Sequence, residues 1–225
     1  VKDTIVGMHD WVVSFDLNSL YPHIMMQYNL SPETEIDEVV PGVTVDGCLV
    51  KEEYAFNKKY IMTARGNLFD KNKKGLIPTI VESYYNERSA VKKKMLAAEQ
   101  KLVNIDKSDK HAVYQLEKEI ATYGNQQMAI KILMNSLYGA TSNEYFRYFD
   151  QRIAESITMS GQLTIRWAEK KINAYMNKVL KTEGEDYVVA IDTDSLYIRM
   201  GNLVSAVGPR DPVSFLDKVA TEKIE

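Results

Sequence analysis

The chain has 225 residues, 45% hydrophobic and 26% charged, with a formal net charge of −3. This supports a buried core in one large or two small domains, while the acidic balance argues against coating nucleic acid by bulk charge. A single cysteine, Cys48, excludes an internal disulfide and a multi-cysteine zinc site and fits a reducing compartment. No apolar run of about 18 residues and no leader pattern suggests membrane insertion.

In chain order, DWVVSFDL (10–17) has the β-branched and aromatic content of a strand. It runs into SLYPHIMMQY, where Pro22 suits the first turn of a helix. Asp16 therefore stands at a strand's C-terminal end. From Asn29 to about Leu76 the signals are irregular, with strand-like CLV and YIM, an acidic cluster in ETEIDE (33–38), and a hairpin expected around DKNKKG. Apolar periodicity predicts a helix over 78–103 and a second over 109–138 with Gly139 as its stop. NIDKSD joins them into an antiparallel helical hairpin. A third helix begins near Asp150, and YVVAIDTDSLYIRM then reads as two short strands meeting at a tight turn.

The fold class implied is α+β, with helices covering one face of an antiparallel sheet. Asp192 and Asp194 are like charges one residue apart in apolar surroundings, so solvent or a bound cation must relieve them. If the strand carrying Asp16 lies beside this hairpin, three carboxylates on rigid strands, with no His/Cys cluster, form an oxygen-ligand site suited to Mg²⁺ or Mn²⁺.

Cations on the two long helices add to this. Arg88 and Lys92 are four residues apart on one helix, and Lys131 and Asn135 four apart on the other, so each pair shares a face. Either pair alone is more often a solvated helix surface. Beside a carboxylate-bound metal, however, they are the parts needed to hold a nucleoside triphosphate, and SLYP offers free helix N-terminal amides to a phosphate oxygen. No Walker loop or GxGxxG is present, and His9, His23 and His111 lack metal-ligand spacing.

DLNSLYPHI (16–24), KILMNSLYG (131–139) and DTDS (192–195) resemble, in order, motifs A, B and C of family B DNA polymerases, with Arg88 ahead of motif B. NLSPET (29–34), FRYFDQRIAESITMSGQ (146–162) and TEGEDYVV (182–189) are most similar to replicative polymerases of T-even-type tailed phages. The resemblance implies a palm over 1–77 and 141–225, incomplete at its C-terminus, and an inserted helical fingers hairpin over 78–140. It implies that Asp16 and Asp194 bind two Mg²⁺ ions with help from the Leu17 carbonyl, and that Asp192 has a lesser role. Arg88, Lys92, Lys131 and Asn135, with the Ser19 and Leu20 amides, would hold the dNTP. Tyr21 would exclude a 2′-hydroxyl, and Tyr138 and Gly139 would pack on the nascent base pair.

Primer–template DNA, a sliding clamp and a companion chain carrying exonuclease and thumb are the partners implied, and the cytoplasm of an infected host the location. The chain begins at Val1 and stops within a helical pattern, which leads us to expect a piece of a longer or split polymerase. Two departures stand out: Ala190-Ile191 replaces the family's Tyr-Gly before motif C, and His23 replaces a serine. The first would put bulk where primer approaches. Rival readings are a reverse transcriptase or RNA polymerase, against which Thr193 separates the two acids, and a catalytically impaired palm-like module.

Overall fold

The structure, a computed structural model, describes residues 2–224. Its elements run β1 (Val12–Asp16), α1 (Leu20–Gln27), β2 (Glu35–Val39), α2 (Val45–Leu49), β3 (Tyr60–Met62), β4 (Asn67–Asp70) and α3 (Leu76–Asn104). There follow α4 (Lys110–Thr141), α5 (Gln151–Leu180), β5 (Val188–Asp192), β6 (Ser195–Arg199), α6 (Gly201–Val207), α7 (Pro212–Val219) and a π-helical turn over Ala220–Ile224. The class is α+β, with two small antiparallel sheets in order β1-β6-β5 and β2-β4-β3. The chain divides into two compact units, one of Val1–Leu20, Val43–Tyr54 and Thr158–Glu225, the other of Tyr21–Gly42 and Ala55–Ile157.

In the first unit the β1-β6-β5 sheet buries one face. Val188, Ile191, Leu196 and Ile198 point into a core shared with Ile165 and Met176 of α5 and Leu216 of α7. The opposite face carries Asp16 and Asp192, both exposed. The period of two along each strand produces this division. β5 enters through side-chain ties from α5: Asn173 Oδ1 accepts from the Tyr187 amide at 2.8 Å, and Asn177 Oδ1 from the Glu185 amide at 3.0 Å.

The second unit is built on α3 and α4. With 29 and 32 residues these extend ~44 and ~48 Å at 1.5 Å per residue. Five residues join them, and Asp109 caps α4 by accepting from the Ala112 amide at 3.0 Å. The sheet β2-β4-β3 buries Leu68 and Phe69, while Met25 and Leu30 fill the core near α1.

Several local expectations are corrected. α4 runs through Gly139 to Thr141, because Gly139 takes no left-handed conformation and so does not terminate it. CLV forms the C-terminal end of α2 and its C-cap, Val50, while Thr44 caps the opposite end by accepting from the Gly47 amide. DKNKKG is the loop between β4 and α3; the hairpin is β3–β4, turning over Thr63–Gly66 with Gly66 at φ +94°. ETEIDE supplies the first four residues of β2, an edge of the second sheet.

Candidate active site

β1 and β6 pair with Asp16 opposite Ser195, and β5 and β6 pair with Asp192 opposite the same Ser195. Directly opposed residues share a face, so Asp16, Ser195 and Asp192 form one row across three strands. Ser195 Oγ donates to Asp16 Oδ1 at 3.2 Å. Asp194 sits in the two-residue connection, and its carbonyl accepts from the Leu17 amide at 2.8 Å, continuing the ladder past Asp16. The 16–17 segment is thus fixed beside the 192–195 turn.

Thr193, in that turn, has φ +51°. Two-residue hairpins favour positive φ there, but a β-branched residue pays for it with strain of ~1–3 kcal/mol. The tip is held in a shape that its residue type does not favour.

The three acids do not close into a cluster. Among the described residues, no group of three or more His, Cys, Asp and Glu converges on a point that could hold a metal. The reason is the register: Ser195 stands between Asp16 and Asp192, separating those strands by two spacings of ~4.8 Å. The donor set still fits magnesium, which binds through one or two carboxylates, waters and substrate phosphates rather than a closed protein cage. Asp16 is exposed, Asp194 half-buried, and neither Asp16 nor Asp192 forms an ion pair among the described residues.

The departure before Asp192 is resolved by strand alternation. Ile191 is buried opposite Leu196. Ala190, opposite Tyr197, is the residue on the carboxylate face. The bulky side chain therefore enters the core. A bulge at Val189, between the Val188 and Ala190 pairings, keeps this phase.

Ser19 and Leu20 follow at the start of α1. Ser19 has φ +55°, and its hydroxyl donates to Asn18 Oδ1 at 3.1 Å.

In the second unit, Arg88 Nε donates to Gln127 Oε1 at 3.3 Å, tying α3 to α4. Gln127, Lys131, Asn135 and Tyr138 recur at helical spacing along one stripe of α4. Lys92, Lys131 and Asn135 are exposed, and among the described residues neither lysine forms an ion pair. Exposed cations without ion-pair partners among the described residues, one on each of the two long helices, suit a polyanion. Tyr138 packs against Tyr21 of α1 with ring centroids 4.7 Å apart. His23 packs edge-on against Tyr85 of α3 at the same separation. A Cβ added to Gly139 meets no described residue outside its own helical turn within 4 Å.

The sequence assigns no site role to Ser195, Gln127 or Tyr85. Ser195 lay within DTDS and Gln127 four residues before Lys131, so strand pairing and helical spacing were the available signals.

The sequence profile described as DNA polymerase family B matches residues 1–206. The DNA-directed DNA polymerase of Escherichia phage RB69 is 32% identical over all of this chain and 29% of its own length. That of Enterobacteria phage T4 is 32% identical over 96% of this chain and 28% of its own. The solved family B DNA polymerase of the hyperthermophilic archaeon Pyrobaculum calidifontis shares the fold, with a TM-score of 0.50 at 23% identity over 94% of this chain and 22% of that one. This chain belongs to DNA polymerase family B. It spans under a third of the length of the phage relatives. No helix among the described residues is long and apolar enough to cross a membrane.

Proposed function

We propose that the chain is the palm and fingers region of a DNA-directed DNA polymerase, joining a dNTP to a primer 3′-hydroxyl under template direction. The observation that carries this reading is the anchoring of Asp16 beside the 192–195 turn, on the exposed face of a sheet whose other face is core. Residues 1–77 and 141–225 serve as palm and 78–140 as fingers.

Two magnesium ions, with manganese as a substitute, would when bound supply activation of the primer oxygen and stabilisation of the leaving pyrophosphate. Asp16, Asp194 and the Leu17 carbonyl are the ligands this chain offers, with Asp192 as a neighbouring negative charge. Arg88, Lys92 and Lys131 neutralise the triphosphate, and Asn135 and the Ser19 and Leu20 amides take further phosphate oxygens. Tyr21 blocks the position of a 2′-hydroxyl. Tyr138 and Gly139 meet the new base pair.

Gly139 supports this reading from stability. A glycine inside a helix costs ~0.5–1 kcal/mol against alanine, and among the described residues outside its own helical turn none comes within 4 Å of where a Cβ would stand. Primer–template DNA is the second substrate, an exonuclease and thumb, attached or as a companion chain, complete the grip on duplex, and a sliding clamp holds the assembly on DNA. Host cytoplasm is the location that fits a phage-like polymerase. The inward Ile191 weighs against the impaired-module reading. Mg²⁺-dependent primer extension by the chain reconstituted with exonuclease and thumb regions tests the assignment; extension independent of Asp16 and Asp194 overturns it.

A further inference from the structure

The root of α3 is capped by side chains from another part of the chain. Its N-cap residue, Gly75, has no side chain to offer. The first amides of a helix lack partners within it. Here Asn29 Oδ1 accepts from the Gly75 amide at 2.8 Å, Glu33 Oε1 from the Leu76 amide, and Ser31 Oγ from the Ile77 amide at 3.3 Å. The next residue, Pro78, has no amide hydrogen, and the Thr79 amide reaches the Gly75 carbonyl at 3.2 Å. Every orphan donor is accounted for, by three alternate residues of one loop.

The loop is itself braced. Asn29 is 7% exposed and Ser31 fully buried. Asn29 Nδ2 donates to the Asp70 and Lys73 carbonyls, the latter at 2.8 Å, and Ser31 Oγ donates to Glu33 Oε2 at 2.6 Å. Desolvation alone would raise the Glu33 pKa, but hydrogen bonds from Ser31 and Leu76 and the charge of Lys73 hold it below the ordinary value. A Cβ on Gly75 would lie 2.6 Å from Ser31 Cβ, so only glycine allows the loop this close.

We propose that Asn29, Ser31 and Glu33 form a clasp that aims α3, and are positioning residues for the triphosphate contacts of Arg88 and Lys92. The lever is long. Arg88 and Lys92 lie 12 and 16 residues beyond Leu76, ~18 and ~24 Å along a stiff helix. A tilt of about 5° at the root moves them ~1.5–2 Å, and displacements near 1 Å cost about 10²-fold when a reacting group must be held in place. The clasp lies at the root, where a small change in hydrogen bonding has the largest effect on aim.

The proposal rests on the triphosphate reading of the α3 and α4 cations, and the experiment separates the two. In the reconstituted polymerase, Glu33→Ala, Glu33→Gln and Lys131→Ala are compared for dNTP KM, kcat and primer–template affinity, with amide exchange at Leu76 and Ile77. Glu33 is exposed, so its truncation spares the core. The expected result is a roughly 10-fold rise in dNTP KM for Glu33→Ala, with DNA affinity within twofold of wild type and faster exchange confined to the α3 root. Glu33→Gln, which keeps an acceptor oxygen, restores most of the KM. An unchanged KM in Glu33→Ala while Lys131→Ala raises it overturns the clasp alone. An unchanged KM in both overturns the triphosphate reading and the clasp with it.

Discussion

The Tyr21 and Tyr138 rings lie with centroids 4.7 Å apart and planes tilted by 43°, joining α1 to the C-terminal part of α4. Tilted aromatic pairs of this spacing contribute ~0.5–1.5 kcal/mol beyond burial. The proposed sugar gate is thereby buttressed by the residue proposed to meet the base pair.

Tyr21→Ala should raise ribonucleotide incorporation at least ~10-fold, since the site then loses its steric rejection of the added hydroxyl. Tyr138→Ala should produce a smaller rise by loosening Tyr21. Competition between dNTP and rNTP in primer extension measures both. Unchanged sugar discrimination in Tyr21→Ala removes its role as gate.

Gly139→Ala should separate stability from activity. Helix propensity predicts a gain of ~0.5–1 kcal/mol in denaturant unfolding, because the added methyl meets no described residue outside its own helical turn within 4 Å. Primer extension should nevertheless slow as the methyl meets the nascent base pair. A variant both more stable and fully active would show that the glycine has no such contact.

Lys131→Ala should chiefly weaken nucleotide use, raising dNTP KM with DNA affinity retained. Lys131 makes no ion pair among the described residues, so its loss leaves no buried acid exposed. A defect confined to primer–template affinity would assign the side chain to DNA.

Glu35 gives the fold a pH dependence. Its carboxyl is desolvated and faces the negative charge of Asp150, to which it also hydrogen-bonds; together these outweigh relief from Arg152 and Asn67 and raise its pKa from 4.5 to about 7. Arg152 also reaches Asp37. A carboxyl raised in the folded state contributes stability that is fully present below 4.5 and is lost as pH rises through 7. Asp150, lowered despite desolvation because Arg152 binds it, acts in the opposite sense at lower pH. Glu35→Gln should flatten the decline in unfolding free energy between about pH 5 and 8. An unaltered profile would show that Glu35 does not titrate there.

What was legible in the sequence follows from short-range rules. The long helices, the strand ending at Asp16 and the 192–195 hairpin announce themselves through periodicity and turn spacing. The second sheet did not. β2 is acidic, with three of its five residues exposed, and β3 has only three residues, so neither presents a clean alternation. The spacing between Asp16 and Asp192 was equally hidden, because it depends on which residue of β6 stands between them. The clasp at α3 links residues over 40 positions apart, beyond the reach of any local cap signature. The inward turn of Ile191 was within reach of strand alternation once Asp192 was placed outward.

The central claim is that Asp16 and Asp194 hold magnesium for nucleotidyl transfer. Its most direct test is single-nucleotide primer extension by the reconstituted polymerase carrying Asp16→Asn or Asp194→Asn, titrated with Mg²⁺ and paired with a DNA-binding measurement. The account predicts that extension is lost in each variant while primer–template binding stays within a few fold of wild type; near wild-type extension by either variant would contradict it.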